Sequence, residues 1–133
     1  MQKQIEKVLC TIGCFLLDMD GTIYLGGQLI DGTHEFLQAA KEKGYKVLFL
    51  TNNSSKNGAA YMKKLEKMGI EANAEDVLTS GQAAAEMILQ CYPGKKVWVM
   101  GNTLLKKELE QLGVPLTEKD PDLVLTAFDT ELT

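Results

Sequence analysis

Uncharged stretches rich in β-branched and large apolar residues recur along the chain. Most are followed by a stretch whose apolar residues return every three or four positions. Residues 8–17 carry no charge and read as a buried strand. Residues 22–25 and 28–30 flank Gly26-Gly27 and predict a small hairpin, a flap. Asp31-Gly32-Thr33 offers capping chemistry to a helix over 34–43, with Phe36, Leu37 and Ala40 on its apolar face and Gly44 as its stop. Strand 45–50 leads to a helix over 57–68, where Tyr61, Leu65 and Met68 keep helical spacing up to Gly69. A short strand at Val77-Leu78 precedes a helix capped by Ser80 and running to Cys91, ended by Pro93-Gly94. Strand 96–100, a helix capped by Asn102 or Thr103 and bearing Leu105, Leu109 and Leu112 up to Gly113, and strand 122–127 complete the series. Strand and helix alternate through short links, which predicts a mainly parallel α/β sheet.

Composition narrows the function classes. A chain of 133 residues is long enough for a substantial core. All 14 basic residues are lysine and the net charge is −4, so neither arginine forks nor a basic stripe support nucleic-acid binding. Cys10, Cys14 and Cys91 lack zinc-type spacing. Cys10 and Cys14 fall inside the first predicted strand, where small apolar packing is expected, and a reducing, cytoplasmic setting suits them. Lys3 and Lys7 before an apolar run imitate a secretory leader, but no small-residue cleavage site follows, and the run is too short to span a bilayer.

The chemistry concentrates where two strands end. Asp18-Met19-Asp20-Gly21-Thr22 follows the first strand directly. Residues two apart in an extended chain face the same way, so Asp18 and Asp20 share one small volume. Like charges so close resist joint ionisation, and a hard cation such as Mg²⁺ relieves them. Gly21 permits a sharp turn and Thr22 adds a hydroxyl. The plainer alternative is an acidic pair that opens a solvated loop. After strand 45–50 come Thr51-Asn52-Asn53-Ser54-Ser55. Thr51, Asn52 and Asn53 can donate to a phosphate through hydroxyl, amide and backbone groups, or they can simply cap the next helix. In parallel α/β sheets ligands bind beyond the carboxyl ends of the strands, so the two groups should converge.

Phe15-Leu16-Leu17 with Asp18-Met19-Asp20-Gly21-Thr22 resembles the first motif of the haloacid-dehalogenase-like hydrolases. Leu50-Thr51-Asn52-Asn53-Ser54 resembles the second, in the form found in the NagD-like, p-nitrophenylphosphatase-like branch. The resemblance implies a Rossmann-like core, residues 1–83 forming its first half and residues 84–133 the beginning of an inserted α/β cap. It implies Mg²⁺-dependent hydrolysis of small phosphate monoesters. Asp18 would be the nucleophile and Asp20 the acid and base, both serving the metal, with Gly21, Thr22, Thr51, Asn52 and Asn53 around the phosphate. Members of the branch also carry a later lysine and a Gly-Asp-rich acidic motif. Neither is found here, which predicts an amino-terminal portion of low activity. Unpaired sheet edges in such a portion predict self-association.

Two other readings stay open at this stage. A receiver-like domain that accepts and keeps a phosphoryl group suits the length and alternation, but wants an aspartate where Thr51 stands. A non-catalytic remnant used for assembly is the other. His34 and the run Lys106-Lys107-Glu108-Leu109-Glu110 read as surface, Asp129 and Glu131 as cap loop, and Trp98 as core.

Overall fold

A computed structural model describes residues 2–129 and 131. Chain contacts divide the protein into two compact units, Met1–Leu50 and Thr51–Thr133.

The first unit opens with helix α1 (Gln2–Leu9) and strand β1 (Cys14–Asp18). The expected strand over 8–17 is therefore half as long, and its first residues are helical. Val8 and Leu9 continue the spacing set by Ile5. The Val8 carbonyl then accepts from both the amide and the hydroxyl of Thr11, at 2.9 and 2.8 Å, which closes the helix. A short apolar run does not by itself distinguish the two conformations. Nor is β1 uniformly buried. Cys14, Leu16 and Asp18 face outward, with Leu16 64% exposed, while Phe15 and Leu17 turn inward. All three cysteines are exposed free thiols, so the packing role expected of Cys10 and Cys14 does not hold.

Strands β2 (Tyr24–Leu25) and β3 (Gln28–Leu29) form the expected antiparallel hairpin, shortened to two residue pairs. Helix α2 (Thr33–Glu42) follows without the expected side-chain cap, because the cap position falls on Gly32, which has no side chain and lies in the left-handed region at φ 85°. The Thr33 hydroxyl instead donates to the Ile23 carbonyl at 3.1 Å, tying the helix start to the turn before the hairpin. Strand β4 (Lys46–Thr51) returns parallel to β1, in a register that runs from Cys14 opposite Lys46 to Asp18 opposite Leu50. Phe15 makes edge-to-face contacts with Phe36 and Tyr45, centroids 5.1 and 5.2 Å apart, which pin α2 and the entry to β4 against β1.

In the second unit, α3 (Gly58–Lys67) is capped by Asn57, which accepts from the Ala60 amide at 3.0 Å, and buries Tyr61 and Leu65. A 3-10 turn at Ala74–Asp76, held by reciprocal bonds between Asn73 and Asp76, has no counterpart in the predicted series. Strand β5 (Val77–Thr79) leads into α4 (Ser80–Cys91). Its cap is Thr79 rather than Ser80, and Gln82 completes a capping box. Strand β6 (Val97–Met100), helix α5 (Thr103–Gln111, capped by Asn102) and strand β7 (Leu123–Thr126) follow. Strands β6 and β7 pair in parallel, Val97 opposite Leu123 through Met100 opposite Thr126. Ala85 and Ile88 of α4 and Leu105 and Leu109 of α5 join Val97, Val99 and Val114 in one buried cluster. Trp98 is only half buried, its indole N–H donating to Glu118 at 3.3 Å. His34 is exposed, as expected. Among the described residues no helix is long and apolar enough to cross a membrane.

Candidate active site

The acidic pair sits on a tight turn. Asp18 is the last residue of β1. Asp18 and Asp20 are both exposed, and Met19 between them is fully buried, as alternation along an extended chain requires. The Met19 carbonyl accepts from the amides of Thr22, Ile23 and Tyr24 at 3.3, 3.0 and 3.3 Å, and the Gly21 amide donates to the Tyr24 carbonyl at 2.8 Å. Gly21 takes φ 84°, a left-handed conformation that a side chain would strain. The turn therefore drives Met19 inward as an anchor and leaves both carboxylates and Thr22 facing solvent. Among the described residues no three His, Cys, Asp or Glu side chains converge as a metal cluster.

The second group is built in the other unit. Thr51 ends β4 and is buried, while Asn52 is exposed. The Thr51 hydroxyl accepts from the Asn53 amide at 3.2 Å, and the Asn53 side chain accepts from the Ser55 amide at 3.0 Å. The cap of α3 is Asn57, so Thr51, Asn52 and Asn53 are not spent on capping the helix that follows. Three carbonyls of the segment are held by side chains from elsewhere. Ser80 donates to the Asn52 carbonyl at 3.2 Å, Tyr61 to that of Asn53 at 3.2 Å, and Asn102 to that of Ser55 at 2.9 Å. Ser54 accepts from the Phe128 amide at 3.0 Å.

One anchor contradicts the reading of 106–110 as a solvated face. Glu108 is buried, and its carboxylate accepts from the Gly58 amide at 3.3 Å. Burial pushes its carboxyl above the usual range, and the Gly58 amide offsets part of that rise. The signal was present in the spacing: Leu105, Glu108 and Leu109 lie three and four apart, on one face of α5. At the first turn of the same helix, Glu131 accepts from the amide and hydroxyl of Thr103 at 3.0 and 2.7 Å. Those bonds hold its carboxyl below the usual range.

Comparison with known proteins decides the family. The sequence profile of the haloacid dehalogenase-like hydrolases matches residues 15–115. The chain belongs to that family. Within it, the chain is similar to a 4-nitrophenylphosphatase from Thermotoga maritima. The two share 41% identity and a TM-score of 0.89 over 95% of this chain and 48% of that one. A glycerol phosphate phosphatase from Mycobacterium tuberculosis, solved in complex with magnesium, gives 31% identity and a TM-score of 0.81 over 92% of this chain and 38% of that one. The acid sugar phosphatase of Staphylococcus aureus is 35% identical over 120 residues, 90% of this chain and 46% of its own. These likenesses put the chain in the NagD-like, p-nitrophenylphosphatase-like branch. The chain spans about half the length of the relatives it matches.

Proposed function

We propose that the chain carries the nucleophile-bearing half of a Mg²⁺-dependent phosphatase acting on small phosphate monoesters. The observation that supports this most is the turn at 18–22: two outward carboxylates flank a buried Met19 at the carboxyl end of β1. That end lies beside the end of β4, since Asp18 faces Leu50, the residue before Thr51. In this reading an Asp18 carboxylate oxygen attacks phosphorus as the ester P–O bond breaks, and Asp20 gives its proton to the departing alkoxide. Asp20, now a carboxylate, takes a proton from water. The water oxygen attacks the aspartyl-phosphate, the bond to Asp18 breaks, and inorganic phosphate leaves. Thr51 and Asn52, with Gly21, Thr22 and Asn53, supply the donors around the phosphoryl oxygens. The Asp18 side chain and the Asp20 carbonyl would hold Mg²⁺, which when bound neutralises charge on the acids and on the phosphoryl group. Residues from 84 onward are read as the first part of an inserted cap.

The test is phosphate release from p-nitrophenyl phosphate with Mg²⁺. Turnover in a chain of full family length, carrying these residues, is expected to vanish on Asp18→Asn; retained turnover removes Asp18 as nucleophile. The 133 residues alone hold neither the later lysine nor the Gly-Asp-rich motif, so far slower release is expected from them. Equal rates would show that those later groups are dispensable.

A further inference from the structure

We propose that Asn102 and Glu108 are positioning residues for the loop from Thr51 to Gly58, setting from α5 the shape in which that loop meets a phosphate. The inference rests on the reading of Thr51 and Asn52 as phosphate donors.

Three observations within the second unit carry it. Asn102 is 2% exposed and uses both ends of its amide. The oxygen caps α5 by accepting from the Leu105 amide at 3.0 Å, and the nitrogen donates to the Ser55 carbonyl at 2.9 Å. Glu108, six residues further along, accepts from the Gly58 amide, so the same helix grips the loop at a carbonyl and at an amide three residues apart. The space around Glu108 is also closed. A Cβ at Gly81, in the first turn of α4, would lie 2.7 Å from a Glu108 carboxylate oxygen and 2.8 Å from a Leu105 methyl. The absent side chain at Gly81 leaves the carboxylate its place.

The consequence is geometric. With the carbonyls of Asn52, Asn53 and Ser55 and the amide of Gly58 bound to side chains, the loop has little freedom to rotate its peptide planes. The Thr51 hydroxyl accepts from Asn53, which leaves its proton free to donate. A donor set fixed before the ligand arrives avoids reorganisation at the moment of reaction.

Glu108→Gln keeps an oxygen acceptor for Gly58, whereas Glu108→Met keeps the volume and removes the acceptor. Asn102→Ser keeps the α5 cap and removes the donor to Ser55. Backbone amide exchange of Asn53, Ser55 and Gly58 would be followed by NMR, with β6 amides reporting the integrity of the fold. The shifts of Thr51 and Asn52 would be followed during titration with inorganic phosphate. Glu108→Met and Asn102→Ser are expected to speed loop exchange about tenfold while β6 stays protected, and to weaken the phosphate response. Glu108→Gln is expected to stay within about twofold of the parent. Loop exchange unchanged in Glu108→Met and Asn102→Ser would overturn the tether itself while leaving the phosphatase reading intact. A parent protein whose Thr51 and Asn52 ignore phosphate would overturn the binding reading, and the positioning role with it.

Discussion

Glu108 shows how one side chain takes its properties from neighbours that are distant in sequence. Its carboxyl is raised chiefly by burial, so in the acid range the folded protein binds more proton than the unfolded chain. Stability from this residue is complete below the ordinary glutamate value and is lost as pH climbs through the raised one. Urea unfolding of the parent protein and Glu108→Gln, from about pH 4.5 to neutrality, is expected to show a downward slope in the parent that the amide removes. Identical slopes would mean that the carboxyl titrates as if in water. By contrast, the acid pair was legible from residue types alone, since alternation puts Asp18 and Asp20 on one side and Met19 on the other whatever the rest of the fold does.

At the scale of elements, the order of strands and helices was legible and their ends less so. The glycine stops Gly44, Gly69 and Gly113 all take left-handed φ, at 76°, 75° and 88°, because the chain must leave a helix there. The start of α4 shifted by one residue: Thr79 caps it, and the hydroxyl of Ser80 goes to the Asn52 carbonyl instead. Two adjacent hydroxyls are interchangeable as caps in sequence, and only the distant carbonyl tells them apart. Thr79→Ala removes the hydroxyl that accepts from the Gln82 amide, leaves the Thr79 amide on the Gln82 side chain, and is expected to cost about 1 kcal/mol. Thr79→Ser should retain most of that. Thermal melting separates them, with a drop of roughly 4 °C per kcal/mol in a chain of this size. Equal melting points for the two variants would show that the hydroxyl at 79 contributes nothing to the cap.

At the scale of the whole chain, the second unit carries a buried cluster between β6–β7 and α4–α5. Leu105, Leu109 and Leu112 read alike in sequence, yet Leu109 is fully buried and Leu112 is 42% exposed. Leu109→Ala is expected to remove about 2–5 kcal/mol, a large share of a typical domain's stability, and Leu112→Ala well under half of that. Chemical denaturation compares them, and similar losses would mean that the two sites pack alike. Side-chain period and backbone sterics act over a few residues, so the α/β alternation, the turn at Gly21 and the polar runs that end β1 and β4 could be read directly from the residues. How closely the leucine face of α5 is covered around Glu108 depends on Gly58 and Gly81 meeting it from far along the chain. Spacing put Glu108 on that face, but desolvation is a property of those neighbours, and so the extent of its burial was decided only once the fold had brought them together.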